Sequence, residues 1–570
     1  MDIHRIREQI IGSNTWFQTP YGQRRMTYAD YTASGRNLAF IESYLMKLEE
    51  SYANTHTEDN YSGHQMTLLY HEAKARIRTL LGGDQDYSII FTGSGATGAI
   101  HKLTQILGIY EAPATKARCN KICDDLSEAS DENKKVIDEL KNENNKRRPV
   151  VFTTAYEHHS NVLTWREGDC EVHEIDLDAE GTLDLEDLRK QVSDPKYKNR
   201  MKIGAFSAAS NVTGMISPVC ELADMMHEYG GYAFFDYAAS GPYVAIKAKR
   251  NENCYIDGLY FSPHKFLGGP GSPGVLMFHK RIYNESLAPT CAGGGTVTYV
   301  NSETQDYKDD IESREDAGTP AILQALRTAL VLELKHSIGY ETIETLENRF
   351  LNQALSVFHA HPNILLVGQE HPYERLAIVS FNIRYKEGML HPRFVTRLLN
   401  DLFGIQARAG CSCAGPYGHR LLGIDETKSN RYREVILEGF ETMKPGWVRI
   451  NFHYTLDEYT LAFLLKAIIF IAEYGYLFLS DYILDAGTGL WVHKNEEDNS
   501  YTKLSLADAW LYENEGNHAS KPDVEEISSC QMTCIKEAYL LKDTLLNHHC
   551  TPVLFGVDRW PDLAWFYVVE

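Results

Sequence analysis

Three short stretches hold side chains able to do carbonyl, acid–base and anion chemistry. Lys265, in Ser262-Pro263-His264-Lys265-Phe266-Leu267-Gly268-Gly269-Pro270-Gly271, follows an apolar run and precedes a glycine-rich turn. Burial lowers the pKa of an amine, and a neutral amine attacks an aldehyde, so Lys265 is a candidate Schiff-base lysine. A plain surface lysine fits the same local sequence, and only its companions decide. Asp236 ends the apolar run Phe234-Phe235-Asp236. A buried carboxylate is costly without a cation. A salt bridge, a helix cap or a protonated ring nitrogen would each supply a partner. Gly93-Ser94-Gly95-Ala96-Thr97 joins an apolar run to a helical pattern. Its free N–H groups and the positive helix end suit a phosphate, although a tight turn has the same look. No Gly-Lys-Ser/Thr follows and the spaced dinucleotide glycines are absent, so a monophosphate fits best.

Thiols form a second group. Arg408-Ala409-Gly410-Cys411-Ser412-Cys413-Ala414-Gly415-Pro416 sets two cysteines near an arginine. A reactive thiolate needs exposure and nearby positive charge, and Arg408 offers the charge. Standing alone, a Cys-x-Cys pair reads equally as inert, redox-active or metal-binding. Cys119 and Cys123, and Cys530 and Cys534 with His548-His549-Cys550, lack the usual zinc spacing, so no metal is expected.

These residues need a frame. Apolar strands are expected at Ser88–Thr92, Pro149–Thr154, Ile203–Ser207, Tyr232–Asp236, Tyr255–Phe261 and Gly274–Phe278. Helical spacing marks His64–Leu81 and the run from Gly98 to Leu107, and another helix lies between Pro218 and Gly230. Strands alternating with helices argue an α/β fold with a mostly parallel sheet, whose ligands bind at the carboxyl ends of the strands. Each motif above falls at such an end. Residues 112–148 are dense in Asp, Glu, Lys and Asn and read as a solvated, partly disordered insertion. From about 331, long helices and two short strands, Leu376–Asn382 and Trp447–Asn451, predict a smaller α+β domain. The expected division is an N-terminal segment at 1–45 packing with the small domain, a large domain at 46–330, the small domain at 331–480 and an accessory extension at 481–570.

The 78 acidic residues against 56 basic ones leave a net charge of −22, which argues against a nucleic-acid or anionic-membrane partner. Leu461–Leu479 is apolar, but Lys466 and Glu473 interrupt it, and a buried helix is expected instead of a membrane span. Met1-Asp2-Ile3-His4-Arg5 has no apolar signal core. With eleven scattered cysteines, this predicts reduced thiols in the cytoplasm.

The order of phosphate loop, Glu157-His158-His159, Ser210-Asn211-Val212-Thr213-Gly214, strand-Asp236 and Ser262-Pro263-His264-Lys265 resembles the class V aminotransferase superfamily, and most closely its cysteine desulfurase/selenocysteine lyase family. The resemblance spans roughly residues 25–475. It implies fold type I with a seven-stranded-type sheet, pyridoxal 5'-phosphate (PLP) as cofactor, and a homodimer. By that likeness Lys265 anchors the cofactor and moves protons at the substrate Cα, Asp236 holds the pyridine nitrogen protonated, and His158 stacks on the ring. Gly95, Ala96, Thr97, Ser262 and His264 hold the phosphate, Asn211 meets the ring hydroxyl side, and Thr319 reaches a neighbouring subunit's phosphate. Arg449 grips the substrate carboxylate, and Asn54 and His56 line the site more loosely. Cys413 aligns with the desulfurase nucleophile, which implies L-cysteine as substrate, alanine as product, and a sulfur-acceptor protein. One departure is Tyr237-Ala238-Ala239 after Asp236, where relatives usually place a glutamine three residues on. Other class V outcomes, namely selenocysteine lyase, C–S lyase, aminotransferase or epimerase, therefore stay open, as does a non-enzymatic scaffold.

Overall fold

Six short apolar runs and a seventh, polar one pair into one sheet in the computed structural model. The structure describes residues 2–55, 57–251, 254–368, 374–495, 505–506, 524–547 and 551–569. The chain divides into two compact units. One comprises 40–210 and 215–340; the other comprises 1–39, 211–214 and 341–570.

In the first unit the strands are β1 (Tyr87–Thr92), β2 (Val150–Thr153), β3 (Glu171–Glu174), β4 (Lys202–Ser207), β5 (Tyr232–Asp236), β6 (Gly258–Phe261) and β7 (Gly274–His279), ordered β1-β7-β6-β5-β4-β2-β3. β7 runs antiparallel to both its neighbours, and the remaining pairs are parallel. Both faces of such a sheet are covered, which is why β2 and β4 are buried throughout instead of alternating. Helix α1 (Gly95–Ile106) lays Ala96, Ala99, Ile100 and Leu103 against Ile90, Val151, Ala205 and Leu276. That packing fixes the turn before α1 at the end of β1. The sheet is mostly parallel and seven-stranded, as expected, but β3 is polar and gave no apolar signal.

Residues 112–148 differ from the expectation. They form two helices, α2 (Pro113–Ala129) and α3 (Asp131–Arg147), with Ile137 the one buried residue. Charge made the segment look unfolded, yet local terms favour helix. Pro113 opens α2, the Ser130 hydroxyl caps α3 by accepting from Asn133 N–H, and Glu143 pairs with Arg147 four residues on.

The second unit has a five-stranded antiparallel sheet instead of two isolated strands: Ile364–Leu366, Ile378–Tyr385, Gly388–Leu390, Arg408–Gly410 and Trp447–Asn451. Thr27–Tyr28 pairs in parallel with Ile405–Gln406, which ties the N-terminal residues to this unit. The apolar helix, α4 (Glu458–Tyr474), buries nine residues, Phe463, Leu464, Ile468 and Phe470 among them, in the core of the unit. It is long and apolar enough to cross a membrane by composition. Its packing is that of a core helix, and truncating Phe470 to Ala costs about 3–5 kcal/mol in such a setting. Trp491, Cys534, Ile535, Trp560, Leu563 and Phe566 join the same core, so the last ninety residues supply part of it.

Candidate active site

The candidate residues fall into two sets, one in each unit. In the first unit, Asp236 closes β5 opposite Tyr260 of β6, and Lys265 lies on the short turn Pro263–Lys265 just after β6. Asp236 is 5% exposed, and Ala238 N–H donates to its Oδ1 at 2.8 Å. Burial pushes its carboxyl up to about 6, against the pull of the Ala238 bond and the Lys265 charge. The lysine thus stands within electrostatic reach of the acid. His264 is held below its usual value by burial and by the same lysine.

The turn before α1 approaches Ser262 closely. Ala96 N–H donates to Ser262 Oγ at 2.8 Å, and Gly95 has φ +58. A Cβ on Gly95 would stand 2.7 Å from Ser262 Oγ and 3.1 Å from His264 Cε1. Here glycine is needed twice, for its left-handed backbone and for room. The Ser94 side chain leaves the first turn of α1 uncapped. Thr97 Oγ1 and Ser160 Oγ lie 2.7 Å apart, and Ser160 N–H donates to His158 Nδ1 at 3.1 Å. Since Nδ1 accepts there, the proton of the neutral imidazole sits on Nε2. Ser160 therefore links the candidate stacking histidine to the turn before α1. Asn54 Nδ2 donates to Thr319 Oγ1 at 3.0 Å, both residues exposed. Thr319 also lines a pocket of about 390 Å³ with Gly93, Lys102 and Cys291. His56 lies outside the described residues.

Glu157, the acid of Glu157-His158-His159, was not singled out by sequence. Its buried carboxylate accepts from Thr154 N–H and hydroxyl, Ser207 N–H and hydroxyl, and Asn161 Nδ2. It holds the end of β2 to the end of β4 and so fixes where His158 emerges.

In the second unit, Arg449 on the strand Trp447–Asn451 is 4% exposed. Its Nη1 donates to Asn211 O at 3.2 Å and its Nη2 to Asp30 Oδ1 at 3.3 Å. Arg408 Nε donates to the other oxygen of Asp30 at 2.9 Å. Asn211 Nδ2 donates to Ser412 O at 2.7 Å, and its Oδ1 is buried without a hydrogen-bond partner among the described residues. Cys413 is exposed, and Cys411 is partly covered. Ser412 and Cys413 have φ of +53 and +56, two successive left-handed residues without glycine. Such a backbone costs on the order of 1–2 kcal/mol per residue and is kept where the surroundings dictate it. Trp447 Nε1–H on Ser412 Oγ at 3.1 Å, with the Asn211 bond, does the dictating here. The Arg408 charge expected to favour a Cys413 thiolate is shared with Asp30. Asp30 itself gave no sequence signal, because its partners lie several hundred residues away.

Among the described residues, no group of three or more His, Cys, Asp or Glu side chains is arranged to hold a metal. His548-His549-Cys550 lies outside them.

The chain belongs to the aminotransferase class-V family, whose sequence profile matches residues 27–113 and 126–442. Among individual proteins, it is 28% identical over 396 residues to a probable cysteine desulfurase of Halalkalibacterium halodurans, covering 69% of this chain and 84% of that one. It is 30% identical over 286 residues to a cysteine desulfurase of Haloferax volcanii, covering 50% of this chain and 63% of that protein. The solved apo structure of a cysteine desulfurase from Thermococcus onnurineus matches with a TM-score of 0.63 at 21% identity, over 83% of this chain and 99% of that one. That last likeness establishes the fold.

Proposed function

We propose that the protein is a PLP-dependent cysteine desulfurase, which converts L-cysteine to L-alanine and leaves the sulfur as a persulfide on Cys413. The observation that carries this reading is the presentation of Cys413, exposed on a left-handed turn in a chain whose relatives bear that name.

The residues present fit PLP. Asp236 is an acid buried at some cost beside a lysine, suited to a protonated ring nitrogen. Gly95, Ala96, Thr97, Ser262 and His264 gather around an uncapped helix start, suited to a monophosphate. The unpartnered Asn211 Oδ1 suits a ring hydroxyl donor. When bound, PLP supplies an electron sink that draws density from the substrate Cα.

Lys265 Nζ anchors the cofactor and then moves the proton at Cα. Asp236 keeps a proton on the ring nitrogen by remaining ionised opposite it. His158 covers the ring, with its orientation fixed by Ser160. Arg449 receives the substrate carboxylate with a planar fork that lysine lacks, and Asn54 and His56 line the approach. The Cys413 thiolate attacks the substrate sulfur, the Cβ–S electron pair stays with carbon and is protonated, and alanine leaves. Thr319, exposed in the single chain, serves the phosphate of a second copy in a homodimer. The ten cysteines among the described residues are free thiols, which supports a reducing, cytoplasmic setting, and the persulfide sulfur passes on to an acceptor protein.

The test is sulfide release from L-cysteine by purified protein reconstituted with PLP, with a dithiol present to reduce the Cys413 persulfide, compared with Cys413→Ala. The expected result is loss of sulfide with the visible absorbance of bound cofactor unchanged. Undiminished release would remove Cys413 from the reaction. Turnover of other amino acids without sulfide would favour an aminotransferase or epimerase instead.

A further inference from the structure

Asp30 lies in Tyr28-Ala29-Asp30-Tyr31 and is 8% exposed. Its two oxygens are divided between two arginines of the same unit. Oδ1 accepts from Arg449 Nη2 at 3.3 Å, and Oδ2 accepts from Arg408 Nε at 2.9 Å. Arg449 is buried, whereas the Arg408 side chain is 54% exposed. Arg408 begins the strand Arg408–Gly410, which pairs with the strand of Arg449 through Arg408↔Arg449 and leads directly to Cys411, Ser412 and Cys413. A second connection runs from Arg449 Nη1 to Asn211 O and from Asn211 Nδ2 to Ser412 O. The two routes close a ring of hydrogen bonds that contains the carboxylate clamp and the residue preceding the nucleophile.

We propose that Asp30 is a positioning residue that holds Arg449 and the Cys413 loop in one geometry, so that engagement of the substrate α-carboxylate places the thiol as well as the substrate. This inference rests on the desulfurase reading. The charges agree with it. Two guanidinium groups face one carboxylate, and the trio retains one positive charge, which the single α-carboxylate of an amino acid neutralises. A carboxylate that serves two partners through separate oxygens fixes both in direction, which a diffuse counter-charge does not. Substrate carboxylate binding energy is then expressed in turnover, as expected when a remote group of the substrate helps align the reacting atoms.

The experiment compares wild type, Asp30→Asn and Asp30→Glu, each reconstituted with PLP and checked for folding by circular dichroism. Sulfide release, with a dithiol present to reduce the persulfide, is measured with L-cysteine and with cysteamine, which lacks the carboxylate. Cys413 alkylation by iodoacetamide is followed by peptide mass spectrometry. In Asp30→Asn, the ratio of kcat/KM for L-cysteine to that for cysteamine is expected to fall by about tenfold or more. Cys413 is expected to alkylate about threefold faster or more, as the freed Arg408 charge favours the thiolate and the loop loosens. Asp30→Glu keeps the charge and moves it by one methylene, so it shows both effects if direction matters and neither if charge alone does. A general loss of stability lowers both substrates together and leaves the ratio fixed. An unchanged ratio or an unchanged alkylation rate in a folded variant overturns the proposal, and if Asp30→Asn does not fold, Asp30→Glu decides. Failure of the wild type to release sulfide overturns the desulfurase reading instead, and the alkylation rates then decide the role of Asp30 alone.

Discussion

Glu157 accepts hydrogen bonds from both the N–H and the hydroxyl of Ser207, at 2.8 and 2.6 Å. One buried carboxyl thereby ties the ends of two neighbouring strands of the large sheet. Burial pushes that carboxyl up to about 7 from its ordinary 4.5, against the five donors that favour its charged form.

This sets a pH dependence. The folded protein keeps a proton that the unfolded chain gives up, so the stability contributed is complete below about 4.5 and is lost as pH rises towards 7. The loss amounts to about 3 kcal/mol over that window. Urea unfolding at pH 5 and pH 7.5 should show Glu157→Gln gaining on wild type by most of that amount as pH rises. A constant difference would mean that Glu157 titrates normally.

Lys335 carries the opposite sign. It is 4% exposed in the helix Ile322–Ile338, and its ammonium donates to the carbonyls of Gly241 and Val244, in the loop that follows Asp236. Burial pulls its pKa down to about 7 from 10.5. The folded protein releases a proton that the unfolded chain keeps, so this contribution grows as pH rises from 7 and disappears as pH falls to 7. Lys335→Met should destabilise by about 1–3 kcal/mol at pH 7, because buried carbonyls lose their donor, and by more at pH 9. Thermal melts at the two pH values check both the size and the direction.

Gly95→Ala should weaken cofactor binding while leaving the fold intact. The substitution meets a positive φ and a 2.7 Å approach to Ser262 Oγ together. The strain is on the order of 1–3 kcal/mol, equivalent to a loss of ten- to a hundredfold in PLP affinity if Ser262 must move. Titration of the cofactor-free protein by absorbance measures it.

Arg449→Lys should lower kcat/KM for L-cysteine by about a hundredfold, with KM rising more than kcat falls. Lysine cannot serve Asn211 O, Asp30 and a substrate carboxylate from one planar group. Steady-state kinetics with L-cysteine show whether the clamp acts in binding.

Local sequence revealed those parts of the site that local structure positions. Asp236 and Lys265 could be read because each follows an apolar run long enough to be a buried strand, and a parallel sheet brings such ends to one edge. The turn at Gly95, the candidate phosphate site, follows an apolar run in the same way. Asp30 was not, since the significance of a short acid among tyrosines appears only when Arg408 and Arg449 arrive from distant strands. Glu157 was hidden by the histidines beside it, and its five donors come from three separate segments. At 112–148 the charge density masks the capping and pairing that make two helices of the segment. The last ninety residues carry no clean period because they reach the core in pieces, Cys534 and Ile535 from the helix Val524–Leu545 and Trp560, Leu563 and Phe566 from irregular backbone.

The pairing of Thr27 with Ile405 has a consequence for synthesis. A nascent chain grows at roughly 5–20 residues per second, so residue 27 waits about twenty seconds to over a minute for its strand partner. During that interval the whole of 40–340, which contains the seven-stranded sheet, has left the ribosome and is able to fold. Gly22–Arg25 can pair at once with Trp16–Thr19, whereas Thr27–Tyr28 must meanwhile stay unpaired, and the like charges of Arg24 and Arg25 beside it keep an open edge soluble. For Thr27–Tyr28 the order of manufacture is therefore the reverse of the order of assembly, and a strand made early is among the last to find its place.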